Sequence, residues 1–456
     1  MQRTAGRPDY HRRAWCRIVL VAAMLLLSAC VSTGGVDAER DDREIAAAIQ
    51  ARYEAELFTL GLSRQRHYAQ RLYRITGERR YVPVNEAYAA RLVLTLRRDI
   101  QGLARSGYVS LRSRESIENY PARTEKQRRR KAMLGEWGEI AFAKNLLFDL
   151  DLAHDYGLLA TPALSGHERA LAYLGNVDFR TFLTDPEVIE VYAAQVANMV
   201  YSLHQLGIAD LRGEVLEAFR RHYPPERDSR LSRASFRNKI YGLTHFVIAA
   251  SDYYQQPVSA VEYGWVLDYF ADNIERIIEK TKADIYLEVG LSFQLMGRTT
   301  HPVLDRVRQA LRRKYDPQAR MIPAEDGSTD LSAGEHRNVL AIMLLRWPGR
   351  LTPGPDLSAV DAFSFQQLEY GTKRGVLAVA QPFEHHHLAG HHAGAGIACP
   401  FDGGALVLCL PGTDGVSDQV HAIVVTQQAE HGLQHADMGL AANDDHLVAL
   451  GLETGR

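Results

Sequence analysis

The chain has 456 residues, 24% of them charged, and its 53 basic and 55 acidic side chains leave a formal net charge of −2. That balance gives no electrostatic footprint for nucleic acid, and the length suffices for one large core or two ordinary ones. The four cysteines, Cys16, Cys30, Cys399 and Cys409, leave residues 31–398 with none, so packing rather than cross-linking must hold the body of the protein together.

The first element is a leader. Arg3, Arg7, Arg12, Arg13 and Arg17 precede an unbroken apolar run from Ile18 to Leu27, and Leu27-Ser28-Ala29-Cys30 closes it. The apolar run is too short to cross a bilayer as a mature helix. The pattern resembles a bacterial lipoprotein signal peptide. The resemblance implies that residues 1–29 are removed and that Cys30 is acylated, palmitate included, anchoring the protein to a membrane through lipid. Each buried methylene then contributes about 0.8 kcal/mol. An ordinary secretory signal with an incidental Cys30 is the competing reading. Residues 30–43 read as the lipidated cysteine and a tether, with Val31-Ser-Thr-Gly-Gly-Val36 small and flexible. No Asp follows Cys30 directly, which by the same resemblance favours an outer-membrane location facing the periplasm. No second apolar run is long enough to cross a membrane.

Residues 44–350 form the expected body, all-α and built of repeated helical hairpins. Ile45, Ile49 and Tyr53 begin one stripe, and Leu92, Leu94, Leu96 and Ile100 mark another. The spacing predicts a helix from Ala283 to Met296, stopped by Gly297, and a second from Val303 to Tyr315, opened by Pro302. The same plan recurs from Val188 to Gly207 and Asp210 to Tyr223. It returns from Asn238 to the break at Gln255-Gln256-Pro257, and again from Glu335 to Trp347-Pro348. First helices starting near 134, 189, 238, 283 and 335 give an architectural repeat without internal identity. Such a cycle favours an α/α toroid resembling the six-hairpin toroids, incomplete or, if Arg64–Gly107 supplies a further pair, approaching six hairpins; an open α-solenoid is the alternative.

Phe236-Arg-Asn238-Lys239-Ile-Tyr241-Gly242-Leu-Thr244-His245 and Asp284-x3-Glu288-Val-Gly290 resemble an uncharacterised bacterial family, domain of unknown function 3541. The resemblance covers about residues 60–350 and implies a mostly helical exported domain without naming a reaction.

If the first helices line a cavity, their polar residues become candidates. Asn238, Tyr241 and His245 share one helix face at i, i+3 and i+7, with Lys239 at the same helix mouth. Asp284 and Glu288 follow on the next first helix, and Glu335, His336 and Asn338 open the one after. Glu288 or Glu335 is the expected acid or base, with Asp284, His336 and His245 assisting in cleavage of polysaccharide, by hydrolysis or by a lyase route. Asn238, Lys239, Tyr241 and Asn338 are the expected sugar-binding groups. The plainer alternative makes Asp284 and Glu335 helix-dipole partners, Asn238 a near-cap and His245 a hydrogen-bonded core residue. Asp149, Asp151 and Asp155 end a further amphipathic segment, from which two acids would reach a cavity. The basic run Arg123–Lys131 reads as a solvated helix start, or as a contact for anionic lipid or acidic glycan. There is no GxxxxGK[ST], HExxH or GxSxG motif, and no cofactor is expected.

After Arg350 the character changes. Residues 351–456 hold nine of the eighteen histidines, a single lysine, Lys373, and no tryptophan. This His-rich, low-order tail carries His385, His386, His387, His391 and His392, a set suited to a borderline divalent metal. An unstructured extension and out-of-frame translation are the competing explanations. The expected function is that of a cell-envelope lipoprotein binding or processing polysaccharide; the alternative is a structural or assembly lipoprotein contacting envelope proteins.

Overall fold

The computed structural model describes residues 40–363 and four short strands between residues 378 and 425. The body is all-helical. Helix α1 covers 40–56. It is followed by α2 (Leu62–Thr76), α3 (Val82–Gly102), α4 (Tyr108–Glu118), α5 (Glu125–Glu136), α6 (Ile140–Asp155), α7 (Glu168–Gly175) and α8 (Phe179–Thr184). The hairpins then run α9 (Pro186–Gln205) with α10 (Arg212–His222), α11 (Arg233–Ala250) with α12 (Ala260–Lys280), and α13 (Ala283–Leu295) with α14 (Pro302–Lys314). Helix α15 (Leu331–Leu345) ends the helical body.

Local chemistry accounts for these boundaries. Asp185 caps α9 by accepting from the amides of Glu187 and Val188, with Pro186 in the first turn, and Gly207 adopts φ +66° just past its end. Gly297 (φ +70°) likewise follows α13, while His301 and Pro302 open α14. Three starts differ from the sequence expectation, the first being α6, which begins at Ile140 and not near 134. Ser232 caps α11 through the Ser235 amide, and Asp330 caps α15 through the Ala333 amide. Asn238 and Glu335 therefore sit in second turns, where neither acts as a cap or a first-turn dipole partner.

The two helices of each hairpin have different surfaces. In α12, Tyr263, Val266, Leu267, Phe270, Ile274 and Ile277 form one buried stripe, the pattern of an outer helix. In α11 and α13 nearly every residue from Lys239 to Ala249 and from Ile285 to Leu295 is buried, the pattern of an inner helix. Inner helices pack closely against their neighbours. A Cβ at Gly242 would lie 2.5 Å from the Phe219 ring, and one at Gly290 would lie 2.7 Å from Leu344 Cδ1. These two positions accept no larger side chain without a shift.

Inner-helix contacts form a circuit. From α2 they pass through α3, α6, α9, α11 and α13 to α15, and α15 packs back against α2. Helix α1 lies across this junction. Asp42 accepts from Arg312 of α14 at 2.8 Å, Gln50 donates to Tyr81 at 3.0 Å, and Tyr53 donates to the Leu331 carbonyl at 3.1 Å. The inner helices α6, α9, α11, α13 and α15 begin at positions 140, 186, 233, 283 and 331, so a spacing near 50 residues persists across all of them.

The basic run has a structural use. Thr124 and Gln127 form a capping box at the start of α5, and Arg130 is buried, donating from Nε and Nη2 to the Val191 carbonyl at 3.1 and 3.0 Å. Its guanidinium covers Tyr192, whose non-helical φ/ψ kinks α9 at that point. The expectation of a wholly solvated helix start is corrected for this residue.

Beyond the helices, β1 (Ala378–Ala380), β2 (Ala398–Pro400), β3 (Leu406–Pro411) and β4 (Val420–Val425) form one antiparallel sheet in the order β1-β4-β3-β2.

Candidate functional site

A carboxylate on an inner helix is exceptional, because ionised groups are excluded from apolar surroundings unless paired. Among the described residues the two most deeply buried are Glu288 on α13 (1% exposed) and Glu335 on α15 (0% exposed). Both are answered by histidines. His336 Nε2 lies 3.2 Å from Glu288 Oε1, and His336 Nδ1 lies 3.3 Å from His67 Nε2. His67 Nδ1 lies 2.8 Å from Glu335 Oε1, and Arg64 Nη1 stands 3.6 Å from Glu335 Oε2. The result is a continuous row, Glu288–His336–His67–Glu335–Arg64, joining α13, α15 and α2.

Proton counting constrains this row. Two neutral imidazoles supply two N–H protons, whereas three successive contacts between two carboxylates and two rings need three. His67 is held well below the ordinary histidine range, first by burial and then by the Arg71 charge, so it stays neutral. With His67 donating from Nδ1 to Glu335, its Nε2 accepts from His336 Nδ1. The third proton therefore lies between His336 Nε2 and Glu288. Thr244 Oγ1 donates to Glu288 Oε2 at 2.7 Å, and His245 Nε2 is 3.7 Å from Glu288 Oε1. The other ring nitrogen of His245, Nδ1, is 2.9 Å from Asn198 Oδ1, which requires it to carry a proton and turns Nε2 toward Glu288. Tyr241 packs edge-on against His245 with ring centroids 4.5 Å apart.

This row forms the inner end of a cavity of about 890 Å³, whose lining includes Glu335, His336, His67, Tyr241, His245 and Asn198. Glu288 lies directly behind His336 and His245. Helix α6 contributes Asp149, Asp151 and Asp155 to the wall. Burial pushes the Asp151 carboxyl up to about 8, Asp155 adding to the effect, while Ser202 Oγ donates to Asp151 Oδ2 at 2.8 Å. Burial also pushes Asp149 up to about 7, with Asp99 second. Burial thus favours the protonated form of Asp151, which faces the same space as the histidines.

A strained turn completes the wall. Asp252, Tyr253 and Tyr254 follow α11 with φ of 51°, 54° and 73°, a left-handed run without glycine. Fully buried Arg74 braces it, donating to the Tyr253 carbonyl at 2.8 Å, to Asp155 at 2.9 Å and to the Gly354 carbonyl at 3.0 Å. Tyr253 and Tyr254 thereby face the cavity.

The family model described as a domain of unknown function, DUF3541, matches residues 42–374. The chain belongs to this family. The DUF3541 span includes every helix from α2 to α15, and hence the whole row and the cavity above it. No curated protein matches the chain, and no solved structure does.

Within the DUF3541 domain the residues singled out from sequence divide into two groups. Glu288, Glu335, His336, His245 and Tyr241 come together at the cavity. Asn238, Lys239, Asn338 and Asp284 do not. Asn238 donates to the Glu190 carbonyl at 2.7 Å, tying α11 to α9. Lys239 pairs with Asp228 at 2.6 Å beside Tyr269, in a separate depression. Asn338 accepts from the Ile322 amide at 2.7 Å and donates to the Ile322 and Gly334 carbonyls, pinning the loop before α15. Asp284 is half-buried in the first turn of α13, outside the cavity lining. Cys30 and the tail histidines 385–387, 391 and 392 lie outside the described residues. Among the described residues, no group of three or more His, Cys, Asp or Glu side chains is arranged to hold a metal ion.

His67, Arg64 and Arg71 were missed by sequence reasoning. Their signal was present: at i, i+3 and i+7 they share one face of α2, a helix with four arginines that is nonetheless largely buried.

Proposed function

We propose that this protein is an outer-membrane lipoprotein, anchored through an acylated Cys30 and facing the periplasm, whose helical domain is an α/α toroid that binds and cleaves polysaccharide. The leader pattern supports the location, and the return of α15 onto α2 supports the toroid. The observation that carries the activity is the convergence of Glu288, His336, His67 and Glu335 at the inner end of an open cavity. A glycosidic bond breaks when one group gives a proton to the leaving oxygen and another takes one from water or from the sugar ring. Asp151 supplies the protonated acid, and His245, whose Nε2 carries no proton while Nδ1 donates to Asn198, is assigned the base, with the Glu288 carboxylate 3.7 Å away answering the charge it gains. His67 and Glu335 position His336 from behind, and His245 and Tyr241 line the place where sugar would lie.

The test uses full-length protein extracted in mild detergent and incubated with a panel of polysaccharides, with new chain ends as the readout. The wild type is expected to produce them, and Glu288→Gln and Glu335→Gln to abolish production while leaving binding intact. Binding untouched by either substitution, without turnover in the wild type, would leave a carbohydrate-binding protein. Neither binding nor turnover, with envelope proteins co-purifying, would overturn the reading in favour of an assembly role.

A further inference from the structure

Helix α2 carries two buried arginines three positions apart whose treatment is opposite. Arg74, 1% exposed, is satisfied by three backbone carbonyls and Asp155. Arg71, 9% exposed, lines the cavity and, among the described residues, is met by the face of the Tyr254 ring, 5.9 Å away. Among the described residues its buried Nε has no hydrogen-bond partner. Neighbouring cavity arginines are answered: Arg64 by Glu335 at 3.6 Å, Arg66 by Gln70 at 2.8 Å and the Tyr88 face, and Arg98 and Arg112 by Asp99 at 2.9 and 3.5 Å.

A buried cation without an anion is destabilising, and a fold keeps one where something else supplies the missing charge. Asp151, on the wall of the same cavity, is bonded to Ser202 instead, and burial favours the protonated form of its carboxyl. A guanidinium presents a planar fork that matches a carboxylate or a sulfate with two parallel hydrogen bonds. Tyr254 beside Arg71 and Tyr88 beside Arg66 add flat apolar faces of the kind that pack against a sugar ring.

We propose that the cavity takes an anionic glycan, and that Arg71 receives the oxyanion carried by the sugar next to the Glu288–His336 pair. The glycan part of this inference rests on the polysaccharide reading above; the anion part rests on Arg71 alone.

The experiment is calorimetric titration of full-length protein in detergent with three probes: tetragalacturonate, its fully methyl-esterified counterpart, and inorganic sulfate. The esterified tetramer has the same sugar skeleton without charge. Wild-type protein is expected to bind the acidic tetramer about 30-fold or more tightly than the ester. Arg71→Gln should remove that preference and leave ester binding within about twofold, whereas Arg71→Lys should retain part of it. Circular dichroism of both variants checks that they are folded, and Arg71→Lys keeps the test open if Arg71→Gln is not. Equal binding of acid and ester by the wild type, or an Arg71→Gln protein with undiminished preference, overturns the proposal. Sulfate binding that Arg71→Gln abolishes, with neither tetramer bound, overturns the polysaccharide reading and retains the anion site. No binding of any probe overturns both.

Discussion

His67 and Glu335 stand 2.8 Å apart although 268 positions separate them in the sequence, and their contact ties the first hairpin to the last helix of the body. It does two things at once: it helps close the circuit of helices, and it fixes the ring that receives a hydrogen bond from His336. Both groups are largely withdrawn from water, so either alone would be poorly compensated. A double-mutant cycle with His67→Gln and Glu335→Gln, followed by urea unfolding, should give a coupling energy of about 1–3 kcal/mol. Additive losses would show that the two side chains do not act on each other.

The buried acids and His67 set opposite limits on pH stability. The folded pKa of Asp151 is raised to about 8 from an ordinary value of 3.8, so between these values the native state holds a proton that the unfolded state has released. Stability therefore falls as pH rises through that window and levels off above it. His67 is depressed, so it holds back stability on the other side, as pH falls below about 6.5 and the unfolded chain gains a proton. Asp151→Asn should raise stability at pH 8 by at least about 1 kcal/mol and lose that advantage near pH 4. Chemical denaturation across this range is the measurement, and an Asn variant no more stable than wild type at pH 8 would contradict the assignment.

Within the basic run, neighbouring arginines should differ sharply. Arg130→Ala strips the Val191 carbonyl of both its donors at the kink of α9 and removes packing on Tyr192. A loss of about 2–4 kcal/mol is expected. Arg128, which pairs on the surface with Glu125 at 2.8 Å, should cost about 0.5 kcal/mol or less when truncated. Similar losses at the two sites, in thermal or urea unfolding, would remove the distinction drawn between them.

The two classes of sequence signal were legible to different degrees. Helix ends were readable where glycine, proline or an acidic cap marked them, as at Gly207, Gly297 and Pro302. They slipped by about four or five residues at α11 and α15, where Ser232 and Asp330 start the helix ahead of the apolar run. The inner-helix acids were visible because Glu288 and Glu335 interrupt otherwise apolar stretches. Their partner from α2 was not, since His67 lies among arginines in a segment that resembles a solvated face. Burial of that face depends on α15 arriving from the far end of the chain, a relationship no local pattern encodes. Asn338 and Asn238 were misdirected for a related reason: an amide on an inner helix can serve a ligand or a stray backbone group, and spacing does not separate these uses.

The proposed anchor makes its own prediction. Cys30→Ser should abolish palmitate labelling of the protein in growing cells and shift it from the membrane to the soluble fraction. Labelling that survives the substitution would refute acylation at this residue.

The most direct test of the central claim is release of new chain ends from polysaccharide by the wild type and by Glu288→Gln, measured on protein whose melting and circular dichroism are matched. Release by the wild type, with loss of about 100-fold or more in the variant and retained glycan binding, is the predicted result, since acid–base groups contribute on that scale. Undiminished release by Glu288→Gln would contradict the account.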